Sequence, residues 1–204
     1  MKMTFLLSAL LLACMGLGSP AHALVEARLT YTALASGADL TKVYPAGTLE
    51  VPSIVPNVGL GGDLLIFVPM TGVGFGLRQE NLGFKASKDA LNYESTAART
   101  SAVFAYRLIN TVLHIGPIFT YGLSHSGKMK VDDGTNKYEW EPGSSSSYSA
   151  GIEAGVGLAA FVLGAEAGYQ NMKWNKLKDK EGDAATPDLD MSGSYMKIFL
   201  GISI

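Results

Sequence analysis

Apolar and polar side chains alternate along the chain from Leu24 to Ala35. The odd positions from Val25 onward are apolar, and the even positions from Glu26 onward are polar. A side-chain period of two is the pattern of a β-strand whose two faces meet different surroundings. The same pattern returns in seven later segments, which begin near residues 57, 73, 101, 113, 148, 163 and 195. The chain therefore predicts eight strands.

The last of these segments carries its apolar face to the end of the sequence. Between its apolar positions stand residues that are mostly small or polar, such as Lys197 and Gly201. A strand that crosses a bilayer as part of a barrel shows this alternation, because one face meets hydrocarbon and the other a polar interior. The apolar positions of this strand are Met196, Ile198, Leu200, Ile202 and Ile204.

Short and long connections alternate between the segments. Turns are predicted at 69–72, 110–111 and 159–160, and long polar loops at about 36–56, 85–98, 126–146 and 175–191. This order is that of an up-and-down meander, and in lipid its two edges must pair because no water satisfies an open edge. The predicted fold is therefore all-β, an eight-stranded antiparallel up-and-down transmembrane β-barrel with periplasmic termini and turns and with extracellular long loops.

Placing the apolar face in lipid turns ten charged side chains inward, with acids and bases balanced. A barrel of eight strands is only wide enough for its own side chains, so we expect a packed ion-pair network instead of an open channel. A soluble lipocalin-like barrel with the two faces reversed is the alternative. The predicted lumenal charges are Glu26, Arg28, Asp63, Arg78, Glu80, Arg99, Arg107, Glu153, Glu166 and Lys197.

Aromatic residues on the outward faces fall near the two ends of the strands. Membrane barrels carry aromatic girdles at both interfaces, and this placement predicts two such rings. The ring nearer the long loops consists of Tyr31, Tyr121, Tyr148 and Tyr169, and the ring nearer the turns contains Phe75 and Tyr106.

The N-terminus has the pattern of a secretory signal. Lys2 is followed by an apolar run that is too short to span a bilayer, and 21–23 is an A-x-A cleavage site. We therefore expect residues 1–23 to be removed and 24–204 to form one barrel domain in the bacterial outer membrane. Alternatively, Cys14 is the lipidated residue of a lipoprotein signal. A net charge of −2 implies no nucleic-acid partner.

Catalytic groups are scarce after residue 23. The histidines there are His114 and His125, and strict alternation points Ser124 and Ser126 to the opposite face from His125. A serine nucleophile needs its base within hydrogen-bond reach. The acidic residues of 179–190 lack the spacing of a calcium loop. We therefore predict no enzyme, no metal and no cofactor.

The third long loop contains its own alternation. Two polar–apolar stretches flank the turn signal at 132–136, which predicts a protruding hairpin within 126–146. Such a hairpin offers a strand edge and Trp140 to a surface partner. The alternative is a solvated extension without a partner.

With these eight strands and the apolar C-terminal strand, the chain resembles the small outer-membrane barrels: the OmpA transmembrane domain, OmpX and the OmpW-like proteins. The resemblance implies that the last strand is read by the barrel-assembly machinery, although Ile204 replaces the usual phenylalanine. It also implies contact with outer-membrane lipid and lipopolysaccharide, and a monomer. The first functional hypothesis is a structural or surface-interaction barrel with a filled lumen. The second is an OmpW-like passage for small hydrophobic molecules, and a lipid A-modifying enzyme is a third.

Overall fold

A computed structural model describes residues 24–36, 55–88, 91–110, 112–132, 134–158, 160–179, 184–186 and 188–204. The predicted signal segment 1–23, and most of the predicted first long loop, lie outside the described residues.

Eight long strands make up the fold. Three shorter strands accompany them, namely Ile109–Asn110, Ala184–Thr186 and Leu189–Asp190. The long strands are β1 Leu24–Ser36, β2 Val55–Phe67, β3 Val73–Lys88, β4 Leu91–Tyr106, β5 Leu113–Asp132, β6 Lys137–Leu158, β7 Phe161–Asp179 and β8 Gly193–Ser203.

The eight strands close into a barrel. Each pairs antiparallel with its neighbours in sequence, and β1 pairs with β8 from Glu26–Ser203 to Ser36–Gly193. Closure satisfies the backbone groups of both outer strands, as a structure in lipid requires. The predicted all-β, up-and-down barrel is confirmed. The described residues include no helix with the length and hydropathy to cross a membrane.

The outward surface of the barrel is a belt of exposed apolar side chains. On β1, Leu29 is 76% exposed, whereas its neighbours Arg28 and Thr30 are buried inside. On β8, the same alternation runs without a break from Tyr195 to Ile202. An exposed apolar band around a polar interior is the sidedness of a membrane barrel and excludes the soluble alternative, whose interior would be apolar.

Four neighbouring strands, β4 to β7, carry apolar side chains on their inner face above the girdle at the long-loop end. On β7, Met172 and Trp174 point inward, and Lys173 points outward. Lys176 then takes a positive φ of 53°, and Leu177 becomes the next inward residue. Apolar side chains turn inward here because the outer surface has left the hydrocarbon and meets water.

The predicted loop boundaries at this end need correction. The prediction of a loop at 85–98 is wrong, because β3 and β4 stay paired from Val73–Tyr106 up to Lys88–Leu91. The predicted hairpin within 126–146 is confirmed, with Met129 opposite Trp140 and Val131 opposite Tyr138. The last loop is also shorter than predicted, since β7 continues to Asp179. The polar residues of these stretches form the solvated face of an extended ladder.

Apolar and charged side chains share the interior of the barrel. Near the short turns, an apolar cluster that includes Leu65, Phe67 and Ile118 lies at the same level as Glu26, which faces Leu65 in the β1–β2 register. At the long-loop end lies a second apolar cluster, which includes Met129, Trp140 and Trp174. The charges therefore extend to the turn end of the barrel beside apolar side chains, and an apolar cluster covers them toward the long loops.

Cysteine labelling tests the assignment of the faces. In a Cys14→Ser background, Ile152→Cys and Leu200→Cys should resist a water-soluble maleimide in membranes, because both positions lie on the exposed apolar belt. Lys137→Cys, at the exposed end of the hairpin, should label rapidly and serves as the control. Equal labelling of all three positions in folded protein would contradict the assignment.

Candidate functional site

The ten charged side chains expected in the lumen all lie buried inside the barrel. Their positions come from alternate residues on seven strands, so the pleat of each strand aims them at the axis. They fall into two groups at different heights. We call these the lower group, nearer the short turns, and the upper group, nearer the long loops.

Two glutamates hold the lower group together. Arg28 contacts Glu26 at 2.6 Å and Glu153 at 2.5 Å. Arg107 reaches the same two carboxylates, with its closest approach to Glu26 at 2.8 Å. His114 Nε2 lies 3.2 Å from Glu153 and joins the group, although the sequence had not singled out this histidine as a member of the network.

The upper group contains two ion-pair centres. Arg78 bridges Asp63 at 2.8 Å and Glu166 at 2.7 Å with both prongs of its guanidinium. Glu80 accepts hydrogen bonds from Arg99 Nε at 2.7 Å and lies 2.6 Å from Lys197 Nζ. Bidentate geometry of this kind gives charge-assisted hydrogen bonds their strength and fixes each side chain.

Inward aromatic residues complete the packing of the charges. The guanidinium of Arg28 lies 4.3 Å from the ring centre of Phe199, and that of Arg107 lies 3.8 Å from Phe67. Tyr195 donates a 2.6 Å hydrogen bond to Glu166. Phe199 is a large apolar residue on the inner face of β8, among residues that are mostly small or polar. Its role as a cation–π partner depends on β1 lying beside β8, which the closure of the barrel determines.

The apolar cluster at the long-loop end corrects the expectation for Trp140. This side chain is only 4% exposed and packs in the cluster, beside Met129 and Trp174. It stacks on Tyr138 with ring centres 5.7 Å apart. Trp140 is therefore unavailable to a surface partner, because the hairpin directs it into the barrel axis.

The predicted girdle and terminal-strand residues lie on the outer surface. All six girdle aromatics are exposed there, and the five apolar residues of the last strand form a continuous outward row on β8. In the register of the barrel, Tyr121 of β5 stands directly opposite Tyr148 of β6.

Immediately above that tyrosine pair, the ladder between β5 and β6 is interrupted. Pairing runs from Leu113–Val156 to Tyr121–Tyr148 and resumes only at Met129–Trp140. Within the described residues 112–132 and 134–158, segments 122–128 and 141–147 face each other without backbone pairing. We call this opening the β5–β6 gap. A cleft of about 410 Å³ lies at the gap, lined by residues that include His125, Lys128 and Pro142.

Local irregularities account for the gap. Between Thr100 and Ser101 of β4 the register with β5 shifts by one residue, which makes Leu123 an extra residue in β5. A bulge bends its strand, and Pro142 on the opposite edge has no N–H to donate. Strict alternation would place Ser124 on the inner face with His114 and Thr120. Beyond the bulge, Ser124 is instead exposed and His125 points toward the interior.

His125 meets Ser147 across the gap. Its Nε2 lies 2.8 Å from Ser147 Oγ, and Ser147 is 3% exposed. A Cβ on Gly122 would come within 2.5 Å of both side chains, so this glycine leaves the space that the pair occupies. Burial and the positive charge of Arg99 lower the pKa of His125 below its ordinary value.

Within the part of the chain that the structure describes, the surroundings of the His125–Ser147 pair differ from those of a hydrolase triad. The charge that acts on His125 belongs to Arg99, which faces it directly in the β4–β5 register. A triad instead places a carboxylate beside the histidine to stabilise the imidazolium. The pair is therefore a polar contact beside the positive charge of Arg99. This charge stabilises a bound anion and destabilises an imidazolium on His125.

Comparisons with known proteins give weak likenesses only. No protein-family model matches the chain, and no curated protein matches it significantly. Among solved structures, it is similar to Neisserial surface protein A, at 12% identity and a TM-score of 0.43, over 89% of this chain and 95% of that one. It is also similar to the outer membrane protease OmpT from Escherichia coli, at 9% identity and a TM-score of 0.40, over 92% and 97% of the two chains.

The fold is that of a small outer-membrane β-barrel. This statement rests on the closed eight-stranded meander and its exposed apolar belt.

Removing Arg78 should destabilise the barrel strongly. Arg78→Ala leaves Asp63 and Glu166 as buried carboxylates without their partner, and breaking a buried pair costs about 3–5 kcal/mol. Lys85→Ala is the matched control, since Lys85 is 78% exposed in its pair with Glu94, and surface pairs contribute about 0–1 kcal/mol. Urea unfolding of barrels refolded in lipid vesicles measures both. Equal loss in the two variants would show that the network does not stabilise the fold.

Proposed function

We propose that this protein is an integral barrel of the bacterial outer membrane that does not conduct. In this proposal it serves as a rigid scaffold whose surface, at the long-loop end, meets the exterior. The single observation that carries the proposal is the filled lumen, in which balanced ion pairs are buried together with apolar side chains.

Energetics support a structural role for the charged layer. Each arginine of the charged layer contacts at least one carboxylate, and Glu26 and Glu153 each contact two arginines. A pathway for ions needs sites that bind weakly enough to release their occupant. Side chains that bind one another at 2.5–2.8 Å already satisfy the charges that an ion would have to displace.

Location and assembly follow in the same proposal. The outward row on β8 suits recognition by the barrel-assembly machinery, and the exposed belt suits outer-membrane lipid and lipopolysaccharide. Closure leaves no free edge among the barrel strands at membrane depth, so the described barrel is satisfied as a monomer. The hairpin at 126–146 is the proposed contact for a surface partner, through its exposed lysines and not through Trp140.

Planar-bilayer recording tests the filled lumen. The wild-type barrel should show no discrete conductance steps, whereas Arg107→Ala should produce leakage because it removes the guanidinium that covers Phe67 and binds Glu26. Lys137→Ala, on the exposed hairpin, should remain silent. Regular steps from the wild-type protein would contradict the proposal.

A second candidate function is supported by the β5–β6 gap. Small hydrophobic molecules that enter the upper barrel could leave sideways into lipid there, as the resemblance to OmpW-like proteins implies. The gap begins beside Tyr121 and Tyr148, which mark the interface of the apolar belt. This passage does not require an open lumen through the charged layer.

Dye uptake tests the sideways passage. Vesicles containing the barrel should take up N-phenylnaphthylamine faster than empty vesicles, and Ser145→Trp should slow uptake because the indole fills the gap. Ser194→Trp carries the same change on the far side of the barrel, where Ser194 pairs with Tyr169 and Ala35, and should behave as wild type. Identical uptake by both variants and by empty vesicles would exclude this candidate.

A further inference from the structure

The upper lumen contains a buried cation that its neighbours satisfy only in part. Arg99 uses Nε and Nη2 on Glu80. Its Nη1 has no hydrogen-bond partner in the described part of the chain, although the side chain is only 3% exposed. A buried guanidinium N–H without an acceptor is costly, and such atoms in native structures call for an explanation.

The unpaired nitrogen belongs to a side chain next to the β5–β6 gap. Arg99 and His125 are direct partners in the β4–β5 register, and both side chains are on the inner face. Directly opposed residues on one face of an antiparallel pair have Cβ atoms about 4.5–5.5 Å apart. His125 in turn lines the cleft at the gap, so this histidine stands between the buried cation and the opening.

The donors at this point suit one small anion. When Ser147 donates its proton to His125 Nε2, the other ring nitrogen carries a proton that is available to an acceptor. Arg99 Nη1 offers further N–H groups, and the cleft that His125 lines provides room beside the pair. The acceptor that completes this set is a carboxylate or phosphate oxygen.

The surroundings of the gap specify what carries the anion. At its lower end, the outward side chains of Tyr121, Leu123 and Tyr148 form an exposed apolar surface that continues into the belt. At its rim, Lys128 adds a positive charge that is shared with Glu139 at 3.5 Å, and Glu141 stands on the other side. An anionic head that entered the gap would leave an acyl chain along the apolar surface beneath it.

We propose that the β5–β6 gap is a binding site for the anionic headgroup of a single-chain membrane amphiphile, with Arg99, His125 and Ser147 as the residues that bind the head. The acyl chain lies outside the barrel against Tyr121 and Leu123. This site goes beyond the scaffold role, because it is occupied from the side and leaves the charged layer closed.

Fluorescence quenching tests the site. The chain has two tryptophans, and the indole of Trp174 lies against Gly127 at the gap. In a Trp140→Phe background, refolded full barrel in neutral-lipid vesicles is titrated with stearate that bears a doxyl quencher near its carboxylate. The probe should quench Trp174 at a concentration at least tenfold lower than its methyl ester, which has the same chain without the charge.

Substitutions locate the binding residues. His125→Ala and Ser147→Ala should each raise the half-saturating concentration of the stearate probe about fivefold or more, and Arg99→Lys should do the same where it folds. Lys85→Gln removes a cation on β3 that lies outside the gap and should leave the titration unchanged. Folding of every variant is checked by its heat-modifiable migration.

Two results would overturn the proposed site. One is equal quenching by the acid and the ester, and the other is a titration that neither His125→Ala nor Ser147→Ala changes. Inorganic phosphate could also abolish the difference in quenching between the acid and the ester. That result would show a site for a small anion without a lipid, and it would also overturn the proposal. The scaffold proposal is judged separately by conductance, so failure of one does not imply failure of the other.

Discussion

The pairing of β1 with β8 is the constraint on which the rest of this structure depends. In hydrocarbon an unpaired backbone N–H or C=O costs several kcal/mol, so a sheet that crosses a membrane has to close. Once it closes, every side chain lies either on the lipid surface or inside a narrow lumen. The charged side chains on alternate positions all point into the lumen, where they can only pair with one another. The ion pairs therefore follow from the closure.

The charged layer also defines how the barrel differs along its axis. Arg28 packs against the ring of Phe199 and Arg107 against that of Phe67, and the cluster around Trp174 covers the charges toward the long loops. The charged side chains are almost fully buried, which strengthens each interaction among them. The barrel is therefore a filled cylinder in its membrane-spanning part, and its chemistry is concentrated where the packing is interrupted.

That interruption lies at the level where the strands leave the lipid. β7 changes its inward face at Lys176, β5 carries its extra residue at Leu123, and Pro142 lies on the adjoining strand. The inward face changes from polar to apolar over the same stretch, because the outer surface changes from lipid to water. At this transition, neither the membrane pattern, with apolar residues outside, nor the pattern above it, with apolar residues inside, is complete. It is here that the gap, the His125–Ser147 pair and the unpaired nitrogen of Arg99 occur.

The alternation of the sequence determined the fold, the number of membrane strands and the sidedness of nearly every residue within the belt. A period of two is a local property, so residues such as Arg78 and Leu200 could be assigned to opposite faces without knowledge of their neighbours. The tertiary structure alone decided which charges meet, since Arg78 and Glu166 belong to strands far apart in sequence. It also decided the inward turn of Trp140 and His125 and the gap beside them, because a bulge and a missing ladder depend on how two distant strands pair.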